Sequence, residues 1–248
     1  MPWKIEDDLL DPSIYLVRLN RPNSGNALDP FSIEALHNHI TIAESDQKYS
    51  VFAICASGPT FCAGADVDAC NTLMERPAEL LQFFKLARSL MLRLHTSRLI
   101  SVALVDGFAA GGGLELVAAC NIVIASESAT FADHHARYGF IPAFGATVLL
   151  PLKIGYANSA WLMLADGKYS AREAHAAKLV SYVVEDARFF EEFNTQLNKI
   201  GRLDPVAISA IKKLLDRSAE VLQAMDAELI EVEHHLQNGA YSTKLIDF

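Results

Sequence analysis

The chain has 248 residues, 51% hydrophobic and 21% charged, which is the length of one α/β domain and a charge content that excludes wholesale disorder. Its formal net charge is −9 with no basic run to offset it, which argues against nucleic-acid and anionic-membrane partners, since both are gripped by clustered Lys and Arg. No apolar stretch reaches the roughly 18 residues of a membrane span, and the opening MPWKIEDDLLDPS is acidic without an apolar centre, so no secretory leader is expected and a cytoplasmic location is.

In chain order, IYLVRL at 14–19 alternates like a strand and Asn20-Arg21-Pro22-Asn23 turns the chain. Asp29-Pro30 opens a helix: a capping carboxylate, then a residue whose missing N–H costs nothing in the first turn. Ile33, Leu36 and Ile40 supply its apolar face. VFAIC (51–55), LISVALV (99–105) and NIVIA (121–125) read as buried strands, and GFAAGGGLELVAAC, between the last two, as a glycine-rich turn entering a helix. Ser170-Ala171-Arg172-Glu173 is a capping box that starts a short helix ending near Lys178. From Val206 the text is helical, with Leu222, Met225, Leu229 and Val232 as an apolar stripe. Strand and helix therefore alternate over 1–195, and helices dominate 196–248: an α/β core followed by a helical C-terminal region.

The four cysteines, Cys55, Cys62, Cys70 and Cys120, form no C-x-x-C pair, and none of the eight histidines stands at a zinc-like spacing from a cysteine pair. Reduced structural thiols and no metal are expected. No G-x-S-x-G elbow is present, which argues against a serine hydrolase. Gly107 and Gly111-Gly112-Gly113 fit neither of two phosphate-binding patterns. The spacing is wrong for a dinucleotide fingerprint, and Gly113-Leu114 stand where a P-loop needs Lys and Ser/Thr. Two readings remain: glycines that permit a tight turn and close helix packing, or main-chain N–H groups at a helix start, bare enough for a carbonyl oxygen to approach. One donor is weak. GPTFCAGADVDA (58–69), after the strand at 51–55, offers a second at Ala65, with Gly64 allowing close approach. Such a pair polarises a carbonyl and holds the enolate formed beside it.

FCAGADVDA, VDGFAAGGGLELVAACNIVIASESATF, YGFIPAFGATVLLPLKIG and YSAREAHAAKLVSYVVE, in this order, resemble the enoyl-CoA hydratase/isomerase (crotonase) superfamily over about residues 14 to 190. The resemblance implies a crotonase (ClpP-like) spiral of ββα units with a helical C-terminal trimerisation region. It implies a homotrimer or dimer of trimers, and neither metal nor redox cofactor. The substrate it implies is an acyl thioester, carried by coenzyme A or by the phosphopantetheine of an acyl carrier protein. Ala65 and Gly112 match the two oxyanion-hole N–H donors. Ala63 matches a backbone position against the adenine in members that use coenzyme A, and Glu115 aligns with the first catalytic glutamate of the hydratases.

The family's F-G-x-P-E phrase is where the chain departs. It reads Phe131-Ala132-Asp133-His134-His135 here, so the second glutamate falls on His135. A Glu–His pair still divides acid–base labour, because histidine titrates near neutrality; the alternative is a loop histidine satisfied by backbone bonds. Tyr138 either donates to a substrate carboxylate or packs in the loop, and Arg137 either meets a substrate anion or is solvated. Asp66 reads as a helix cap rather than as half of a carboxylate pair with Asp68.

The stretch Tyr138-Gly139-Phe140-Ile141-Pro142 looks like that of crotonase members in polyketide β-branching, which dehydrate or decarboxylate glutaconyl-type chains. The decarboxylating branch, however, carries a lysine where this chain has Asp66–Asn71 without one. Its C-terminal histidine is out of register with His234 and His235, which read as solvated. The function expected is hydration, dehydration or double-bond isomerisation of an enoyl thioester. Decarboxylation of a glutaconyl thioester and a non-catalytic acyl- or partner-binding module stand as alternatives.

Overall fold

The computed structural model describes residues 3–4, 11–215 and 218–237. In chain order the elements are β1 (Trp3–Lys4), β2 (Ile14–Leu19), α1 (Pro30–Ser45), β3 (Val51–Ala56), β4 (Thr60–Cys62), α2 (Val67–Met74), α3 (Pro77–Thr96), β5 (Ile100–Val105), β6 (Phe108–Ala110) and α4 (Gly112–Ala119). Then follow β7 (Ile122–Ser126), β8 (Thr130–Ala132), α5 (Ala146–Leu164), β9 (Lys168–Ser170), α6 (Ala171–Ala176), β10 (Tyr182–Val184), α7 (Phe189–Gly201), α8 (Pro205–Leu215) and α9 (Ser218–Gln237).

From β3 to β8 successive strands alternate between two layers. One sheet runs β1-β2-β3-β5-β7-β10, parallel except for β1; the other runs β4-β6-β8-β9, parallel except for β9. Each turn of the chain thus places one strand in each sheet before a helix, and three such turns make a spiral of ββα units. The strands of the larger sheet read as continuous apolar runs because both faces are covered. Phe52, Ile54, Ala103, Val105 and Val123 face the main core. Their alternates Val51, Ala53, Val102, Leu104 and Ile124 face a second core, closed by Phe189, Phe193 and Leu197 of α7.

The position 195/196, taken from the sequence as the start of the helical C-terminal region, lies within α7, whose Phe189, Phe193 and Leu197 pack on the sheet. The helix starts are as the text implied: Asp29 accepts the Ser32 N–H at 2.7 Å, Asp66 the Ala69 N–H at 3.1 Å, and Ser170 with Glu173 closes the capping box. In α9 the buried stripe is Val221, Met225, Leu229 and Val232. Leu222, assigned to it from the sequence, is 43% exposed, because the face turned to the core begins one residue earlier. Among the described residues no helix is long and apolar enough to cross a membrane.

Candidate active site

The site forms where the β6–α4 turn meets the β4–α2 loop. Gly111 turns the chain at φ 49° and Gly112 is the first residue of α4. The glycines are there for proximity. A Cβ on Gly113 would lie 2.1 Å from the Cys62 carbonyl oxygen, and one on Gly64 3.0 Å from the Ala110 carbonyl oxygen and 3.1 Å from the Gly112 nitrogen. The β4–α2 loop is fixed by a parallel bridge in which the Leu28 N–H donates to Gly64 at 2.7 Å and the Asp66 N–H donates to Leu28 at 2.9 Å. In that pattern the intervening residue turns its own N–H to the other side. Ala65 therefore presents its amide toward α4, where a Cβ on Gly112 would stand 3.2 Å from the Ala65 nitrogen. The Ala65 and Gly112 amides, from two loops, thus stand side by side.

Glu115 projects from the first turn of α4 and is fully buried. Its Oε1 accepts the N–H groups of Phe144, at 2.9 Å, and Ala146, at 3.0 Å. Its Oε2 has no hydrogen-bond partner and lies 3.5 Å from His135 Nε2. His135, its side chain 15% exposed, is anchored from behind by Asp133: Nδ1 is 3.0 Å from Oδ1, and the His135 N–H reaches Oδ2 at 3.3 Å. Burial opposes the imidazolium. The Asp133 hydrogen bond and charge, followed by the nearby Glu115 carboxylate, outweigh it and push His135 up to about 10. The imidazole is thus held charged at neutral pH. The sequence pointed to Glu115 and His135 but missed Asp133. Its signal lies in the bend at His134, φ 61°, which brings the residues on either side together.

These groups line one cavity of about 370 Å³. Ala65, Gly112, Glu115, Asp133 and His135 form its polar part, while Phe84, Phe144, Ile141 and Val67 supply apolar walls. The Phe144 ring stacks edge-on against Phe83 and Phe84, with centroids 5.7 Å and 6.2 Å away. It stands over Gly112, where a Cβ would come within 2.7 Å of it. Ala63 is exposed at the rim and Tyr138 half-buried in the wall. Arg137 and His134, also at the wall, are both paired with Asp166. His235, expected to be solvated, contacts the Gly139 carbonyl oxygen through Nε2 at 2.7 Å and so ties α9 to the cavity wall.

All four cysteines are buried and outside any disulfide, and burial pushes Cys62, Cys70 and Cys120 up to about 12, so none of these three is poised as a nucleophile. No cluster of three metal-ligating side chains occurs among the described residues.

Comparison with known proteins agrees with this arrangement. The sequence profile described as enoyl-CoA hydratase/isomerase matches residues 10–245. A probable enoyl-CoA hydratase of Rhizobium meliloti is 30% identical over 231 residues, 93% of this chain and 87% of that protein. The 2,3-dehydroadipyl-CoA hydratase of Escherichia coli is 32% identical over 213 residues, 85% of this chain and 82% of that one. A crystal structure of enoyl-CoA hydratase from Bacillus anthracis superposes with a TM-score of 0.82 at 26% identity, over 95% of this chain and 92% of the other. Motif order, ββα spiral and match along nearly the whole length agree, and the chain belongs to the enoyl-CoA hydratase/isomerase family.

Proposed function

We propose that the chain adds water to, and removes it from, the double bond of an α,β-unsaturated acyl thioester of coenzyme A, using a Glu115–His135 pair in place of two glutamates. The observation that carries this is the 3.5 Å separation of Glu115 Oε2 and His135 Nε2 beside the Ala65 and Gly112 amides. A water oxygen at hydrogen-bond distance from both side chains closes a triangle on that base. Ala65 and Gly112 hold the thioester oxygen. Glu115 takes a proton from the water as its oxygen bonds to Cβ, and the π electrons move through Cα onto the held oxygen as an enolate. Collapse of the enolate draws the proton of His135 Nε2 onto Cα. The proton on Glu115 then passes to His135, restoring carboxylate and imidazolium. Asp133 keeps the ring oriented throughout. Two relatives with hydratase names support this chemistry, and both names specify a coenzyme A thioester.

The assembly proposed is a trimer or dimer of trimers. Large apolar side chains left exposed on α5 and α8, among them Tyr156, Leu164, Val206 and Leu214, support it.

The test is crotonyl-CoA in deuterated buffer. Wild type is expected to consume the enone and incorporate deuterium at Cα, and E115Q to lower kcat by about 100- to 10,000-fold. A wild-type enzyme that neither hydrates nor exchanges refutes the proposal. Carbon dioxide release from a 3-methylglutaconyl thioester would replace it with decarboxylation, and tight binding without turnover with an acyl-binding role.

A further inference from the structure

Glu228, on α9, is 6% exposed. A carboxyl at that depth needs partners for both oxygens or must stay uncharged. Oε2 has two donors, both from Thr147: the backbone N–H at 3.1 Å and the hydroxyl. Oε1 is sealed from solvent and has no hydrogen-bond partner. Thr147 stands in the first turn of α5, directly after the Phe144–Ala146 segment whose amides hold Glu115 Oε1. One helix start therefore grips two carboxyls, one from α4 and one from α9. Met225, one turn earlier on α9, closes the same contact, since a Cβ on Gly145 would lie 2.3 Å from its Cε.

We infer that Glu228 is a positioning residue for the reaction: in its protonated form it locks the first turn of α5, and through the Phe144 and Ala146 amides it keeps the Glu115 carboxylate aimed into the cavity. The inference deepens the reading of Glu115 as the reactive carboxylate and rests on it. Ionisation of Glu228 would set a second buried anion on the same helix start and loosen that grip.

The surroundings favour the protonated form. Burial, then the charge of Glu115 on α4, push Glu228 up to about 8; the Thr147 donors on α5 and the His135 imidazolium in the loop after β8 work the other way. From α3, which also packs on α9, Arg88 is engaged by Asp226 instead.

The test compares wild type, E228Q and E228L from pH 6 to 9.5, by kinetics on crotonyl-CoA and by thermal midpoint. In wild type kcat is expected to fall as pH rises through about 8 with KM little changed. E228Q, uncharged and of the same shape, should retain the neutral-pH rate and lose that alkaline limb. E228L should lose about tenfold to a hundredfold in kcat, the cost of misaligning a reacting group. An alkaline limb unchanged in E228Q, or full kcat in E228L, overturns the inference.

The stability readout needs no substrate. A carboxyl raised on folding contributes fully below the ordinary carboxylate range and loses that contribution as pH rises through its folded value. The wild-type midpoint should therefore fall between about pH 6 and 8 more steeply than that of E228Q. Identical slopes overturn the inference. Different slopes in an enzyme inert toward crotonyl-CoA refute the hydration reading and leave Glu228 as an ionisable lock on the α5 start. Should E228L not fold, E228Q and its midpoint profile decide alone.

Discussion

At the scale of single residues the proposed chemistry requires a histidine that stays charged. His135 lies between Asp133 and Glu115, two carboxylates buried more deeply than itself. Its side-chain ¹⁵N shifts should report a doubly protonated ring through pH 8, titrating near 10. D133N should bring that midpoint down by more than one unit, and a ring already neutral at pH 7.5 in wild type would exclude it as the acid. The sign for stability follows. A histidine raised on folding contributes fully below its unfolded value, near 6.5, and loses that contribution as pH rises through about 10.

Glu115 and His135 were legible because each sits inside a phrase whose spacing carries meaning. Asp133 was not, since its bond to His135 depends on a left-handed residue between them. Glu228 was hidden differently. It belongs to an acidic helix, where a carboxyl toward the core and one toward water are written alike.

At the scale of elements, the β6–α4 turn separates folding from chemistry at neighbouring glycines. G113A drives a Cβ to 2.1 Å from a backbone oxygen that cannot yield, so loss of soluble folded protein is expected. G112A meets the Phe144 ring at 2.7 Å and crowds the Ala65 amide. It should fold, with stability lowered by about 1–3 kcal/mol and kcat reduced by about 100-fold, as circular dichroism and initial rates will show. The reverse ranking would mean that these glycines serve packing alone.

In the proposed reaction the aromatic wall built by α3 and the α5 entry would limit acyl length. F144L should raise kcat/KM for an enoyl thioester two carbons longer than crotonyl by about tenfold relative to crotonyl itself, and an unchanged chain-length profile would remove Phe144 from the acyl path. The long apolar strands were legible from their runs. The three-residue strands β4, β6 and β8 were not, being too short to show a period; they form the second layer, on which the turns of the site are hung.

At the scale of the whole molecule, α5 and α8 leave Tyr156, Val206 and Leu214 more than three-quarters exposed. A surface that apolar is expected to meet another surface. Sedimentation equilibrium should give a mass of three or six times 27.2 kDa, and L214E should lower it. A monomer at micromolar concentration would show that these side chains serve something else. Which apolar residues face inward and which face a neighbour was not legible, since burial within a chain and burial between chains call for the same residue types.

The bridge between Leu28 and Ala65 has a consequence for genetics. The donor proposed at Ala65 is peptide, not side chain, and its direction is set by the hydrogen bonds on either side of it. A mutational scan can therefore pass over position 65 in silence, recording a tolerant alanine at a place where the polypeptide itself is the reagent. The vulnerable spot lies upstream, at a leucine with no chemistry of its own: proline there would delete the N–H that holds Gly64, and the lesion would surface as lost turnover in a loop that no one had edited.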